Sequence, residues 1–397
     1  MAWRDGRSAV RVLVAVFAVL QLLGGCAPSQ PEPPPLTPPS SLATPGQPPE
    51  LPVEAPDDHG VRSLRAAVAQ SLRFLDAVPA ERSLGRWPRR VTAQEVRASL
   101  AEFLDLLDES PVTGGDWPHR VAERFDFFPA PLRGRRQDVL FTGYYQPVID
   151  ASPVETAEYR YPVYREPHES RTRRARGKRA PGHSRHDIDV LGKLKGKGYE
   201  IAWLRDPVDR FFLHIQGSGL LRMTDGSEVP LNFAASNGRR YTSIGKVLID
   251  RGELDRESMS MQRIRAWLAE YPDEREALFA RNERYVFFRL GEQGPLGSLG
   301  VPLTAGRSAA TDHRVYPRGA LLFVETRTPV VDEDGALAGW RPVGRFFLNQ
   351  DTGAAIRGPA RVDLYFGTGD AAGAEAGYMK SKGRLYLLMK RGAAPLN

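Results

Sequence analysis

Short β-rich runs separated by glycine, proline and aspartate fill the chain after residue 138, and this pattern constrains the fold more than any other feature. Strands this short and this frequent favour β-barrels over a doubly wound sheet, in which helices would alternate regularly with strands. The chain has no internal repeat at a fixed period. The expected strands are Val139–Tyr145, Tyr159–Tyr164, Arg210–Ile215, Tyr285–Arg289, Ala320–Thr326, Arg345–Leu348 and Leu385–Met389.

Helical patterns lie mainly before this region. Apolar residues at helical spacing predict a helix over Val61–Leu75. Thr92 and Glu95 have the spacing of a capping box, which predicts that a second helix begins there and continues to Leu107. One isolated helix is expected within the β-rich region. Its signal is a helical spacing that places four apolar residues on one face: Met261, Ile264, Trp267 and Leu268.

The N-terminus has the pattern of a secretory signal. A basic start precedes the apolar run Val12–Leu23, which is too short to span a bilayer, since a spanning helix needs roughly 20 residues. Leu23-Gly24-Gly25-Cys26 resembles a lipobox, in which the cysteine becomes the lipid-modified first residue of the mature chain. Cys26 is the only cysteine of the sequence, so no disulfide framework can form. We expect a lipoprotein signal peptide over residues 1–25.

The residue after the cysteine bears on where the lipid anchor lies. By resemblance to Gram-negative lipoproteins, Ala27 in place of aspartate favours the outer membrane, so we expect Cys26 to hold the chain in that bilayer at its periplasmic face. Residues 26–58 are rich in proline and lack an aliphatic pattern, which predicts an extended, semi-rigid tether.

The positive charge is concentrated in one segment. The formal net charge is +7, and residues 171–185 contain much of the excess. A basic run is typical of nucleic-acid binding, but an exported chain does not meet the genome, so nucleic acid is excluded as a partner. A solvated loop and attraction to an anionic wall polymer or lipid surface both remain open.

Three glycine-rich polar stretches near the C-terminus contain Asp312, Asp351 and Asp363, each at the edge of an apolar strand. Glycine lets a ligand approach the backbone closely. A single aspartate in a turn has a structural explanation, because aspartate favours turns. Three such stretches in one region favour a functional site.

Other kinds of site lack support in the sequence. Histidines are few and scattered, and no H-E-x-x-H motif is present, so we expect neither a metal nor another cofactor. A serine hydrolase is also disfavoured, because the sequence contains no G-x-S-x-G motif.

Seven motifs stand out together: Phe141-Thr142-Gly143-Tyr144-Tyr145-Gln146-Pro147, Gln216-Gly217-Ser218-Gly219, Asn237-Gly238, Tyr241-Thr242-Ser243-Ile244-Gly245-Lys246, Pro302-Leu303-Thr304-Ala305-Gly306-Arg307-Ser308-Ala309-Ala310-Thr311-Asp312, Gln350-Asp351-Thr352-Gly353-Ala354-Ala355-Ile356 and Val362-Asp363-Leu364-Tyr365-Phe366-Gly367. Together they resemble the membrane-bound lytic murein transglycosylase A family, and the resemblance extends from about residue 60 to about residue 392.

The resemblance implies a mainly β fold with flanking helices. Residues 59–147 and 294–397 would form a double-psi β-barrel domain, and residues 148–293 a second, smaller inserted β-barrel domain. The substrate, a peptidoglycan glycan strand, would lie in the groove between the two. A complex with cell-wall synthases is a further partner hypothesis.

The resemblance also implies a reaction, cleavage of the β-1,4 bond between N-acetylmuramic acid and N-acetylglucosamine. The family's catalytic acid falls on Asp363, and two further acidic positions of the family fall on Asp312 and Asp351. The C6 hydroxyl of the muramic acid attacks C1 and closes a 1,6-anhydro ring, so one carboxyl group suffices as acid and then as base. Asp363 must then be protonated at rest, which requires a pKa raised above ~3.9 by burial or by a neighbouring carboxylate.

Other residues are candidates for binding the glycan. Aromatic side chains can stack on sugar rings or pack in the core, amide and hydroxyl groups can bind sugar hydroxyls or make turns, and guanidinium groups can bind the lactyl or peptide carboxylates. The candidates are Thr142, Tyr144, Tyr145, Gln216, Ser218, Arg307, Arg357, Tyr365 and Phe366.

Two other functions stay open on the residues alone. A glycan hydrolase would use Asp351 or Asp312 as a second catalytic carboxylate. A non-catalytic peptidoglycan-binding outer-membrane lipoprotein would hold the glycan without turnover.

Overall fold

The computed structural model describes residues 45–46, 60–109, 117–132, 138–170 and 181–392. The expected signal peptide, Cys26, most of the tether and residues 171–180 of the basic run lie outside this part of the chain. No helix among the described residues is long and apolar enough to cross a membrane.

Fifteen named strands and nine α-helices account for most of the described residues. The strands are β1 (Ser83–Gly85), β2 (Val91–Thr92), β3 (Phe125–Pro129), β4 (Val139–Gln146), β5 (Val148–Ser152), β6 (Tyr161–Tyr164), β7 (Glu200–Leu204), β8 (Gly219–Met223), β9 (Glu228–Ser236), β10 (Val286–Leu290), β11 (Ser308–Ala310), β12 (Leu321–Val331), β13 (Leu337–Asp351), β14 (Arg361–Thr368) and β15 (Lys380–Lys390). The helices are α1 (Gly60–Asp76), α2 (Ala93–Glu109), α3 (Trp117–Arg124), α4 (Arg185–Asp189), α5 (Pro207–Gln216), α6 (Ile244–Asp250), α7 (Met261–Glu270), α8 (Arg275–Ala280) and α9 (Asp370–Tyr378).

The two N-terminal helices form where the sequence predicts them. Helix α1 buries Leu64, Val68 and Leu75 on one side, in agreement with their helical spacing. Helix α2 begins with a capping box, in which the Thr92 backbone N–H donates to Glu95 Oε2 over 2.8 Å and the Glu95 N–H donates to Thr92 Oγ1 over 3.4 Å. Both helices pack on the larger β-sheet and extend its apolar core.

Six strands close into a barrel. Their order is β12-β13-β11-β14-β4-β15, and β15 pairs again with β12, which completes the circle, while β3 extends the sheet beyond β15. Strand β4 pairs in parallel with β14, with Asp363 opposite Thr142 and Tyr365 opposite Tyr144. Phenylalanine, leucine and valine side chains fill the core of this barrel and its helices.

A second, nearly closed barrel is built between β4 and β11. Its six strands have the order β10-β9-β8-β5-β7-β6, and an isolated bridge between Arg165 and Phe288 joins the region of β6 to β10. Its core is smaller and contains Ile149, Leu204 and Leu221. Two β-barrels with flanking helices confirm the expected fold class; we call the second one the insert.

One expected strand is wrong. Residues Arg210–Ile215 belong to α5, because Asp206 caps the helix start, Pro207 takes the first position and Gly217, at φ +83°, ends it. Valine and phenylalanine side chains then bury one face of α5. The single expected isolated helix, α7, is present, but five further helices of five or more residues accompany it in the β-rich region: α4, α5, α6, α8 and α9.

The end of the basic run is also not a solvated loop. Arg185 begins α4 and is buried, with its Nε donating to the Asn282 carbonyl over 3.1 Å and its Nη2 donating to the Arg284 carbonyl over 2.8 Å. Asp189 accepts from both Arg185 and Arg210. Arg185 therefore contributes to the interior of the insert.

Candidate functional site

Two of the three aspartates predicted at the site flank one small residue. Ala310 of β11 lies opposite Asp351 on one side and opposite Asp363 on the other. Residues opposite one another on neighbouring strands point to the same face, and neighbouring strands lie about 4.8 Å apart, so the two Cα atoms are roughly 10 Å apart. Thr142 continues this row on the far side of Asp363.

Asp363 lies between a hydroxyl group and a guanidinium group. The Thr142 hydroxyl donates to Asp363 Oδ1, and Arg361 Nε lies 3.5 Å from the same oxygen. Burial raises the pKa of Asp363 above its usual value, although Arg361 and the Thr142 hydroxyl both act to lower it. From sequence, either burial or a neighbouring carboxylate could raise the pKa of Asp363. In the structure, burial is the effect that raises it and so favours the protonated acid.

Two tyrosines lie beside these acids. The rings of Tyr144 and Tyr365 pack with their centroids 5.3 Å apart. The hydroxyl oxygen of Tyr144 is buried, and both Asp351 and Asp363 contribute to raising the pKa of that hydroxyl, after the larger effect of burial. The hydroxyl therefore lies within the electrostatic reach of both carboxyl groups.

Tyr241 of the insert lies within electrostatic reach of this row. Arg361 lowers and Asp363 raises the pKa of Tyr241, whose net upward shift is caused mainly by burial. Hydrogen bonds join the insert to β4 nearby, from the Tyr145 N–H to Gln216 Oε1 over 3.1 Å and from Gln146 Nε2 to the Gly219 carbonyl over 3.2 Å. We call the space between Asp363 and Thr142 on the barrel and Tyr241 on the insert the groove.

Asp351 has a different set of contacts. Its Oδ1 accepts from the Ser298 N–H over 2.9 Å and from the Thr352 N–H over 2.8 Å. Burial raises its pKa to about 6, although these N–H groups and the Tyr144 hydroxyl act in the opposite direction. Asp351 thus combines a raised pKa with an anchoring role at the end of β13.

Asp312 lies in a cationic and hydrogen-bonded environment. Arg314 forms an ion pair with it at 2.6 Å, and the Gly358 N–H donates to Asp312 Oδ2 over 2.7 Å. Burial raises the pKa of Asp312, but these partners more than offset that effect, so the pKa is lower than usual. A carboxyl group that stays ionised cannot donate a proton at rest, and its contacts hold the loop before β14.

The two candidate arginines lie in opposite environments. Arg307 is buried, and its guanidinium donates to Ser63 Oγ over 2.9 Å, to the Gly60 carbonyl over 2.8 Å and to the Phe346 carbonyl over 3.2 Å. The structure thus corrects the expectation that Arg307 binds substrate, because its side chain holds α1 on the barrel. Arg357 is exposed, on the loop before β14.

The remaining candidates divide between the groove and the packing around it. Tyr145 is buried against Ala372 and Ala376 of α9, and Phe366 is half-buried against the same group of side chains, so neither ring is placed as a sugar platform. Gln216 accepts a hydrogen bond from the backbone of β4. Ser218 is half-exposed, two residues beyond the end of α5.

Two residues of the site were missed from sequence. Arg361 is two residues before Asp363 on the same strand, so both side chains share a face, and this spacing was a usable signal. Tyr241 belongs to a motif of the resemblance, but its position within electrostatic reach of Asp363 depends on how the insert folds. Among the described residues, no group of three or more histidine, cysteine, aspartate or glutamate side chains is arranged to hold a metal ion.

Known proteins are similar to this chain in both sequence and fold. Residues 140–289 match the family model described as the MltA specific insert domain, and residues 307–389 match the 3D domain. Membrane-bound lytic murein transglycosylase A of Escherichia coli (strain K12) is 40% identical over 256 residues, which cover 63% of this chain and 66% of that protein, just under two thirds of its length. The Vibrio cholerae protein of the same name is 34% identical over 300 residues, which cover 73% of this chain and 77% of that protein.

Solved structures agree with this assignment. A crystal structure of Escherichia coli MltA with bound chitohexaose has a TM-score of 0.69 and 30% identity, covering 88% of this chain and 95% of that one. The membrane-bound lytic murein transglycosylase from Agrobacterium tumefaciens has a TM-score of 0.69 and 33% identity, covering 84% and 94%. The chain belongs to the membrane-bound lytic murein transglycosylase A family.

Proposed function

We propose that this chain cleaves the β-1,4 bond between N-acetylmuramic acid and N-acetylglucosamine in peptidoglycan, with Asp363 as general acid and then general base. The observation that carries the proposal is the environment of Asp363, a carboxyl group at the groove whose pKa burial raises. A raised pKa keeps the proton that the leaving oxygen needs. The chitohexaose bound by the similar Escherichia coli protein supports a glycan as the ligand.

The reaction needs one carboxyl group if the substrate supplies the nucleophile. Asp363 gives its proton to the glycosidic oxygen, and the bond from that oxygen to C1 of the muramic acid breaks. The C6 hydroxyl of the same sugar then attacks C1, and the Asp363 carboxylate takes the hydroxyl proton as the 1,6-anhydro ring closes. The attack is intramolecular, so no water has to be held at C1.

The residues around Asp363 contribute to this scheme in different ways. The Thr142 hydroxyl and Arg361 stabilise the carboxylate that forms after proton transfer. Arg361 also limits how far the pKa of Asp363 rises, so the acid can release its proton. The half-buried ring of Tyr144, which packs against the buried ring of Tyr365, offers an aromatic surface beside the scissile bond.

A glycan hydrolase is the second candidate, and Asp351 is the observation that favours it. Its pKa is raised to about 6, and its Cα lies roughly 10 Å from that of Asp363, two strands away. Carboxyl groups of inverting glycosidases are about 6.5–9.5 Å apart, with a water molecule between them. The Asp351 carboxyl, however, accepts two backbone N–H groups, which orient it toward the loop containing Ser298.

We also propose that the enzyme works from a membrane surface. The lipobox-like sequence before Cys26 supports a lipid anchor in the outer membrane, and residues 26–58 would then hold the two barrels away from the lipid. The names of the relatives, which include the words membrane-bound, support the membrane location. A shared complex with cell-wall synthases would use the same location.

The products of digestion test the proposal. Full-length protein in detergent is incubated with purified peptidoglycan, beside Asp363→Asn and the matched control Asp334→Asn, whose carboxyl lies at an exposed turn. Mass spectrometry should find muropeptides lighter by one water than hydrolysis products. Their rate of release should fall by roughly 10²–10⁴-fold in Asp363→Asn, which is the usual contribution of a general acid to the rate, and should stay unchanged in the control.

Three other outcomes would lead to different conclusions. Products with free reducing ends would identify a hydrolase and make Asp351 the next residue to replace. Full activity in Asp363→Asn would refute the assigned acid. Glycan bound without any product from the wild-type protein would leave the wall-binding lipoprotein as the better function.

A further inference from the structure

A cavity of about 230 Å³ lies between the β12–β13 hairpin, β14 and α9. Polar, charged and aromatic side chains line it, among them Thr328, Arg341, Arg345, Phe347, Phe366 and Glu375. The described residues that line this cavity do not include Asp363, Thr142 or Tyr241, which define the groove. We call it the hairpin cavity, and the reaction proposed above gives it no role.

Four of the lining residues share one face of the hairpin. Thr328 of β12 lies opposite Arg341 of β13, and Arg345 and Phe347 follow Arg341 at even spacings along β13. Side chains alternate between the two faces of a strand, so all four point to the same side. The Arg345 guanidinium lies over the Phe347 ring, 5.9 Å from its centroid. The hairpin thus brings two cations, a hydroxyl group and an aromatic ring to one wall of the cavity.

Strand β14 separates the hairpin cavity from the acid. Leu364 and Phe366 line the cavity and alternate along the strand with Asp363, whose side chain therefore points to the opposite face. Gly306 and Tyr365 complete this wall, and the Gly306 N–H donates to the Tyr365 carbonyl over 2.8 Å. A ligand in the cavity would lie behind the strand that contains the acid, and not beside the acid itself.

Helix α9 forms the remaining wall through Glu375, which is half-buried. The turn of the hairpin packs on the same helix, because a Cβ at Gly335 would lie 3.4 Å from the Cβ of Ala374. This contact holds the hairpin against α9, so the walls of the cavity are in place before a ligand binds.

Thr328 indicates that the cavity suits a polar ligand. The residue is 5% exposed, and no described residue forms a hydrogen bond with its Oγ1 atom. A buried hydroxyl group without a partner is unfavourable, and a polar ligand in the cavity would supply that partner. This observation does not depend on the charges of the lining.

The charges of the lining favour an anion as the ligand. Arg341 and Arg345 contribute two positive charges and Glu375 contributes one negative charge, so the lining is positive overall. Guanidinium groups bind carboxylates through paired, charge-assisted hydrogen bonds. The cavity has the volume of roughly eight water molecules at about 30 Å³ each, which is enough for an amino acid and too little for a glycan strand.

We propose that the hairpin cavity is a second ligand site, which binds a small carboxylate of amino-acid size. The carboxylate lies against Arg341 and Arg345 and accepts from the Thr328 hydroxyl, and an apolar side chain packs on Phe347. Two sources have this chemistry: a free amino acid, whose ammonium group faces Glu375, and the C-terminal residue of a peptide.

Calorimetric titration tests the site without glycan or turnover, so its result does not depend on the proposed reaction. Full-length protein in detergent is titrated with leucine, with N-acetylleucine, and with leucinamide, which has no carboxylate. The same titrations are made with Arg341→Gln, with Thr328→Val and with the matched control Arg327→Gln, because Arg327 is exposed and lies on the opposite face of β12. A carboxylate probe should bind, and leucinamide should bind at least about tenfold more weakly.

The variants should separate by the bond that each one loses. Arg341→Gln should weaken binding of the carboxylate probes about tenfold, the scale of a charge-assisted hydrogen bond, and Thr328→Val about fivefold, the scale of a neutral one. Arg327→Gln should bind like the wild-type protein. In Glu375→Gln, weaker binding of leucine alone assigns a free amino acid, and unchanged binding of both carboxylate probes assigns a peptide end.

Three results would overturn the site. They are no binding of either carboxylate probe, equal binding of leucinamide, and equal affinities in Arg341→Gln, Thr328→Val and Arg327→Gln. Thermal unfolding at matching temperatures would show that the variants keep the fold, so that a loss of affinity reports on the cavity.

Discussion

Replacing Gly143 of β4 by alanine should destabilise the protein and slow its reaction together. A Cβ at this position would lie 2.8 Å from both the Cα and the carbonyl oxygen of Ala376, and 2.9 Å from Cβ of Met379. Two of these atoms belong to the backbone of α9, which cannot rotate away as a side chain can. Either α9 or β4 must move to accommodate the methyl group.

The size of the effect follows from these contacts. Carbon atoms pack best at about 3.5–4.0 Å, so contacts of 2.8 Å are shorter by roughly 1 Å. Overpacking of this kind costs about 1–3 kcal/mol in unfolding free energy. For a chain of this size, we expect a fall in Tm of about 2 °C for each kcal/mol, which gives roughly 2–6 °C.

The reaction should be affected because Gly143 lies between Thr142 and Tyr144. A shift of β4 would move the Thr142 hydroxyl away from Asp363, and a misplacement of about 1 Å at a catalytic group can cost up to ~100-fold in rate. Thermal unfolding followed by circular dichroism, and the rate of muropeptide release, measure the two effects. Gly339→Ala in β13 is the matched control, since its Cβ would meet no atom within 4 Å. A Gly143→Ala protein that melts and reacts like the control would refute the argument.

Two further substitutions probe the surroundings of the site. Arg361→Gln removes the cation that lowers the pKa of Asp363, so that pKa should rise; because activity is lost as pH rises through the pKa of the acid, the alkaline limb of the kcat profile should move to higher pH. An unmoved limb would contradict the role of Arg361. Arg307→Met leaves the Gly60 and Phe346 carbonyls without their buried donor. The free energy of unfolding, measured by urea titration, should therefore fall by about 2 kcal/mol. A variant as stable as the wild-type protein would show that Arg307 does not hold α1.

Elements whose signals are local could be predicted from sequence. The capping box at Thr92 gave the start of α2 because its bonds join residues three apart. Strand β4 was recognisable from its composition, and α7 from the spacing of its apolar face. The prediction of a strand over Arg210–Ile215 was wrong because a short apolar run can form either a strand or one buried face of a helix. The caps at Asp206 and Gly217 favour the helix.

The contacts of the site could not be predicted from local sequence patterns. Asp363 could be named from its motif, but its contact with Thr142 joins residues 221 positions apart. Arg307 and Tyr145 have side chains suited to binding, yet each points into packing that only the closed barrel creates. The side of the barrel to which a residue points depends on the register of strands from distant parts of the chain.

The position of β4 has a consequence for how the chain folds. This strand is made before the insert, but both of its partners, β14 and β15, come near the C-terminal end of the sequence. Strands β5–β10 pair among themselves and can form their sheet as soon as residue 290 has been synthesised. Both edges of β4 remain unpaired until β14 and β15 have been synthesised. Pairing over such sequence distances is slow, because the loop must close before the contacts can form. We therefore expect the Thr142–Asp363 pair to form late in folding, so that a partly folded chain would lack its acid site.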